Sequence, residues 1–249
     1  MSLSVIIPTG DRSALLETAV QSVLHQSRHC DWVIVVDNGY NESTFPSRSN
    51  PRVRYLRTEP RIGPSMARNL GAAEAITEFI AFLDDDDIWE PDYIKYSIEL
   101  LENGEADVVV GQLMRRGSGA DSKEPYKMFP ATVEQQREVF YRNPGFGGQN
   151  TMFRRRLFLA VGGFDQAMPA SEDRDLLVKL MVHEARVLPQ PLSVAVLCDH
   201  GGVRARHNQV RGNAIFLRKH WRRMRAHELF RASTILCKRW LRARFSRAT

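Results

Sequence analysis

Cysteine is scarce in this chain of 249 residues: Cys30, Cys198 and Cys237 are the full set. They are odd in number and widely separated, and no pair has metal-ligand spacing. A disulfide framework is therefore excluded as the organising device, and a reducing compartment is the expectation. Long apolar runs are also missing. No stretch approaches the roughly 18–20 consecutive apolar residues of a membrane span. The opening MSLSVIIPTGDRS turns polar too early for a secretory leader, so a cytoplasmic location is expected. No G-x-G-x-x-G follows a strand pattern, which argues against a dinucleotide-dependent oxidoreductase. There is no internal repeat and no low-complexity segment. Negative charge is nearly absent from one end. From Arg204 onward there are 14 Lys and Arg and one acid, Glu228, whereas the preceding 203 residues hold 21 basic and 28 acidic side chains. A tail of +13 on a body of −7 suggests an anionic partner.

What is present alternates. Residues 3–8 read as a buried strand ended by Pro8. Residues 12–26 carry Leu15, Leu16, Ala19, Val20, Val23 and Leu24 at helical spacing. A second buried strand, 32–36, runs into Asp37-Asn38-Gly39. Residues 53–56 alternate as a strand, 64–76 read as a helix, and 79–83 as another buried strand. A helix with proline near its first turn follows to about residue 102. Then come a β-rich stretch (106–111), a polar loop (115–130) expected to be mobile, a strand (151–153), a short helix (154–161) and a helix opened by Ser171 as its cap. Residues 211–245 read as two helices. Strands alternating with helices imply a largely parallel sheet with helices on both faces.

In such sheets ligands bind outside the carboxyl ends of the strands. Pro8-Thr9, Asp37 and the run Asp84-Asp85-Asp86-Asp87 all fall at that edge. The run, in IAFLDDDDIW, is hard to explain without a cation. Adjacent carboxylates repel, and each is costly to desolvate. A single strand-ending aspartate such as Asp37 is as often a turn residue.

Taken in order, SVIIPTGDR, VIVVDNG, GPSMARNLGAA, FLDDDDIWEPDYI and FRRRLFLAVGGFDQAM followed by SEDRDLLVKL resemble the family 2 glycosyltransferases. The resemblance covers roughly residues 3–210. It implies a GT-A fold: an α/β, Rossmann-like nucleotide-binding sheet with an acceptor-binding half. The expected organisation is a transferase domain, 1–210, with a nucleotide-sugar half (1–111) and an acceptor half (112–210), followed by a basic helical tail, 211–249. Two positions depart from the family pattern. Asn38 stands where a second acid is frequent, and Gly10 where larger residues are common.

The resemblance implies an inverting, metal-dependent transfer from a nucleoside-diphosphate sugar, UDP-linked by preference, to a hydroxyl acceptor in glycan assembly. A diphosphate leaving group needs charge compensation, and Mn²⁺ or Mg²⁺ on carboxylate oxygens supplies it. Asp86 is then the metal ligand. Asp84 faces the donor ribose or sugar, and Asp85 joins it. Pro8, Thr9 and Asp11 line the nucleotide pocket, and Asp37 accepts hydrogen bonds from the base. Arg68 sits over the base or near the phosphates. Asp173 is the general base that takes the acceptor proton, and Glu172 and Gln149 position the acceptor. Arg206 contacts the diphosphate, and His207 is a second metal ligand. Asp87 is expected only to cap the helix after Pro91.

The tail suggests peripheral association with an anionic membrane, consistent with a lipid-linked acceptor and a location at the inner membrane face. Nucleic acid is not expected, since no recognised motif accompanies the basic charge. Two rival readings remain. A sugar-nucleotide nucleotidyltransferase would show a glycine-rich basic loop after the first strand, where PTGDRS has one glycine and one arginine. A non-catalytic basic adaptor would leave the aspartate run and Glu172-Asp173 unexplained.

Overall fold

The computed structural model describes residues 2–116, 122–198 and 206–245. In chain order the regular elements are β1 (Leu3–Thr9), α1 (Ser13–Leu24), β2 (Trp32–Asp37), β3 (Val53–Arg57), α2 (Pro64–Glu74), β4 (Phe79–Phe82), β5 (Asp87–Trp89), α3 (Tyr93–Glu102) and β6 (Val108–Arg116). They continue as β7 (Lys123–Lys127), α4 (Val133–Gln136), β8 (Thr151–Arg154), α5 (Arg155–Ala160), α6 (Glu172–Val182), β9 (Val187–Leu197), α7 (Arg206–His220) and α8 (Ala226–Phe245).

Strand β1 is apolar at nearly every position because both of its faces are covered. Leu3, Val5 and Ile7 enter one core with Val33 and Val35 of β2, and Ile6, Ile34 and Val36 enter the other. Helices α1 and α3 cover the first face, and α2, α5 and α6 the second. Phe82, Phe153, Phe158 and Phe164 fill the second core, with ring centroids 5.1 to 5.8 Å apart. Helix α2 presses on the sheet through Gly71. A Cβ there would stand 2.4 Å from Ile6 Cγ2, so a larger residue would force the two layers apart.

The nine strands form one mixed sheet, ordered β3-β2-β1-β4-β8-β6-β9-β5, with β7 paired to β6. The first four strands of that order run parallel, as the alternation predicts. Strand β8 then pairs antiparallel with both β4 and β6. This reversal carries the chain from the half that ends in the aspartate run to the half that supplies α6.

Four expectations change. The polar segment 115–130 is not simply a loop, because Lys123–Lys127 pairs antiparallel with the end of β6 across a register shift; residues 117–121 lie outside the described residues. Its side chains are polar because this hairpin is exposed, so apolar alternation never marked it. Asp87 does not cap a helix. It opens β5, opposite Leu197 of β9, and accepts a hydrogen bond from the Cys198 amide at 3.1 Å. Ser171 precedes α6 with φ 70° and makes no side-chain capping bond. The expected boundary between 210 and 211 falls inside α7, which packs on the body through buried Phe216. No helix among the described residues is long and apolar enough to cross a membrane, and all three cysteines are free thiols.

Candidate active site

The register of the parallel strands sets the site. Thr9 ends β1 opposite Asp37 of β2, and the chain leaves β4 through Leu83 into Asp84, Asp85 and Asp86. The three carboxylates then diverge. Asp85 turns inward, where the Thr9 hydroxyl donates to it at 2.7 Å and Arg12 Nη1 at 3.3 Å. Burial pushes its carboxyl up to about 6 in spite of those donors, and the charges of Asp86 and Asp84 add to the rise. Asp86 stays partly exposed and takes Arg12 Nη1 at 2.8 Å. Asp84 pairs with Arg68 of α2.

Arg68 is buried. Desolvation alone would lower its pKa, but the charges of Asp84, Asp173 and Glu172 outweigh burial and raise it. One guanidinium therefore links the sheet edge to the first turn of α6. Asp173 accepts the Gly148 amide at 3.1 Å. Gly148 is required here for closeness, since a Cβ at that position would stand 2.9 Å from Arg68 Nε.

These groups open on one cavity of about 670 Å³. Pro8, Thr9, Arg68, Asp84, Asp85, Asp86, Glu172 and Asp173 all line it. An oxygen from each of Asp84, Asp86 and Asp87 lies within 4.8 Å of the others. A set of hard carboxylate oxygens this close fits a divalent cation of the Mg²⁺ or Mn²⁺ class. Among the described residues no other group of histidine, cysteine and carboxylate side chains gathers in this way.

Four expected site residues are not brought to the cavity wall. Asp37 is fully buried and its oxygens are already engaged. It accepts the amides of Gly39 and Ser43 at 2.9 and 2.8 Å and the Tyr55 hydroxyl at 2.6 Å, and it pairs with Arg57 at 2.9 Å. Burial would raise its pKa, but those donors prevail and lower it. Its work here is to hold the turn after β2. Asp11, at φ 58°, accepts the Tyr40 and Asn41 amides at 3.1 and 2.9 Å and braces the same turn from outside. Gln149 folds toward Gly147, and its backbone oxygen accepts Trp89 Nε1 at 2.8 Å. His207 is exposed on the first turn of α7 and does not join the carboxylate group. Arg206 starts α7, and its side chain lies outside the described residues.

The cavity also recruits residues that sequence reasoning passed over. Arg12, Asn38, Arg142, Asn143, Arg174, Asn208, Gln209, Asn213 and Arg239 line it as well. Arg174 alone carried a signal, an arginine set between Asp173 and Asp175 at the head of an otherwise apolar helix. The rest come from loops and from α7 and α8, whose placement is a tertiary fact.

Residues 4–162 match the family model described as Glycosyl transferase family 2. An uncharacterized glycosyltransferase of Haemophilus influenzae is 25% identical over 184 residues, which are 72% of this chain and 62% of that protein. The succinoglycan biosynthesis protein ExoO of Rhizobium meliloti is 30% identical over 204 residues, 76% of this chain and 58% of ExoO. The chain thus spans less than two thirds of the length of these curated relatives. The crystal structure of S. aureus TarS 1-349 in complex with UDP-GlcNAc shares the fold. Its TM-score is 0.66 at 17% identity, covering 96% of this chain and 81% of that one.

Proposed function

Because this chain belongs to glycosyl transferase family 2 and has the GT-A fold, we propose that it is an inverting, metal-dependent transferase. It moves a sugar from a UDP-linked donor to a hydroxyl of a glycan or lipid-linked acceptor. One observation carries this reading: the carboxylates suited to a cation and the carboxylate suited to a base face the same cavity from different elements. The UDP-GlcNAc held by TarS supports the choice of nucleotide, and the role of ExoO in succinoglycan biosynthesis supports a glycan product.

Asp86, with Asp84 beside it, would hold Mn²⁺ or Mg²⁺, which supplies positive charge against the departing diphosphate. Pro8, Thr9 and Asp85 form the floor under the nucleotide. Arg68 is fixed by Asp84 and stands ready to meet a phosphate oxygen. The acceptor hydroxyl attacks the anomeric carbon from the α6 side. Its proton passes to Asp173 as the new C–O bond forms and the bond to the diphosphate oxygen breaks, releasing UDP. The Gly148 amide, donating to Asp173 Oδ1, holds the carboxylate in place. Attack and departure on opposite faces invert the anomeric centre, so one base suffices. The donor half is residues 1–111, and the acceptor half begins at 112 and takes α7 and α8 as its outer wall.

Helix α8 supports the membrane part of the proposal. Phe230, Trp240 and Leu241 are exposed at 73, 47 and 45%. Their spacing puts them on one side of the helix, flanked by Arg231, Lys238 and Arg242. Apolar groups beside cations suit an anionic lipid surface.

The deciding experiment is a screen of UDP-sugars with Mn²⁺ for slow donor hydrolysis, run beside UDP binding. Metal-dependent UDP binding with hydrolysis of one sugar nucleotide is the expected result. No binding of any nucleoside diphosphate in the presence of Mn²⁺ would overturn the reading.

A further inference from the structure

Five arginines line the cavity, and three are already paired. Arg12 meets Asp85 and Asp86, Arg68 meets Asp84, and Arg142 meets Glu138. Arg174 and Arg239 have no carboxylate within ion-pair reach among the described residues. Arg174 is only 6% exposed. Its Nε donates to the Val139 carbonyl at 2.8 Å and its Nη1 to Asn213 Oδ1 at 2.7 Å, and its guanidinium lies 4.0 Å over the Phe216 ring. These neutral partners orient the group without neutralising it. A buried charge left in this state is destabilising.

The second cation makes matters worse. Arg239 of α8 shares the cavity wall with Arg174 and repels it. Burial, with that repulsion added, pushes the Arg174 guanidinium down to about 9, so it remains cationic at neutral pH. Two uncompensated guanidiniums on one wall, with the amides of Asn208 and Gln209 beside them, are the donor set of an anion site. The acids of the same turn do not fill that role, since besides burial the charge that acts on Arg174 is that of Arg239.

We propose that Arg174 and Arg239 bind a phosphate or diphosphate group carried by the acceptor. This deepens the transferase reading and rests on it. The two arginines stand on α6 and α8, whereas the aspartates assigned to the donor diphosphate follow β4 on another part of the same cavity wall. Arg174 directly follows Asp173 in α6. An acceptor held by its phosphate at Arg174 would present a neighbouring hydroxyl to the base. A phosphorylated glycan and a sugar on a lipid diphosphate share this chemistry.

The test is titration calorimetry on the full chain with inorganic pyrophosphate and with geranyl diphosphate. Excess EDTA keeps the aspartate edge free of metal and net acidic. Both probes are expected to bind. Arg239→Gln, an exposed position whose loss leaves the core intact, is expected to weaken both at least tenfold. Arg174→Gln should do the same, with circular dichroism checking its fold. Pyrophosphate should still bind when EDTA is replaced by saturating UDP and Mn²⁺. Tighter binding of geranyl diphosphate than of pyrophosphate would identify a lipid-linked source, and equal binding a soluble phosphorylated one; both support the subsite. Failure of both probes to bind, affinity unchanged by Arg239→Gln, or full displacement by UDP and Mn²⁺ would each overturn it. UDP–Mn²⁺ binding measured alone reports on the donor site. Its absence alongside Arg239-dependent pyrophosphate binding would sink the transferase reading and leave the anion site standing.

Discussion

At the scale of single residues, two carboxylates with similar chemistry carry different burdens. Asp173→Asn keeps the hydrogen bond from Gly148 within reach and removes the proton acceptor. Turnover is expected to fall by about 10²–10⁴, the usual weight of a positioned base, while Mn²⁺-dependent UDP affinity stays within a few-fold. Near wild-type turnover would remove Asp173 from that role. Asp86→Ala is expected to do the reverse first, weakening UDP binding in Mn²⁺ by about tenfold or more, since even loss of an outer-shell partner of a metal ligand costs about 10–100-fold in metal affinity. Unchanged affinity across a Mn²⁺ titration would exclude it as a ligand. Gly148→Ala probes the link between the halves. A methyl there would stand 2.9 Å from Arg68 Nε, so the guanidinium must swing off Asp84. Activity should drop by more than tenfold and the melting temperature should fall, because the guanidinium that yields is buried and loses its Asp84 partner. A variant with full activity would show that Arg68 need not stay where it lies.

At the scale of elements, the join between α6 and α7 is ionic as well as apolar. Asp175 is fully buried. It meets His220 at 2.7 Å, Lys219 at 2.8 Å and Lys179 at 3.3 Å. Burial alone would raise its carboxyl, but the His220 and Lys219 hydrogen bonds, with the charges of Lys179 and Lys219, bring it down to about 2. A folded-state value below the unfolded one gives stability that is present above about pH 4. That stability is lost as the pH falls toward 2. The shift is worth about 2 kcal/mol. Asp175→Asn removes the carboxylate that the partly exposed Lys179 and Lys219 meet and should cost about 2 kcal/mol at pH 7, with the difference from wild type shrinking toward pH 2. Urea midpoints at both pH values check this, and an undiminished difference at low pH would refute the ionic clasp. The same join explains why the expected break at 210/211 is not a structural boundary: Phe216 and Asn213 belong to the body, and Glu228 at the start of α8 pairs with Arg137 at 2.7 Å.

At the scale of the whole molecule, the charge asymmetry read from composition becomes a surface. The basic end reaches the cavity wall beside α6, through Arg239, and also carries the exposed aromatic side of α8. Sedimentation with vesicles containing about one third phosphatidylglycerol should pull the chain down at low salt, and less so as salt screens the attraction. The pair Phe230→Ser and Trp240→Ser should reduce the bound fraction several-fold. Equal binding to neutral vesicles, or none lost in the pair, would refute a lipid-facing role for this helix.

The strand-and-helix alternation up to residue 83, the arrival of Thr9 and the aspartates at one sheet edge, and the first turn of α6 were legible because they depend on local periodicity and on a rule that holds for every parallel sheet. Strands β5 and β7 were not, since three residues that begin inside the aspartate run and an exposed strand, Lys123-Glu124-Pro125-Tyr126-Lys127, carry no apolar alternation to read. Asp37 and Asp11 had the right residue type at the right edge. Their carboxylates turned out to be consumed by backbone amides six or more residues away in some cases, and spacing does not reveal such bonds. Arg12, Arg174 and Arg239 reach one cavity from a loop and two helices far apart in the chain. Which charges are neutralised there, and which are left for a ligand, depends on distances through space, and only the packed chain sets those.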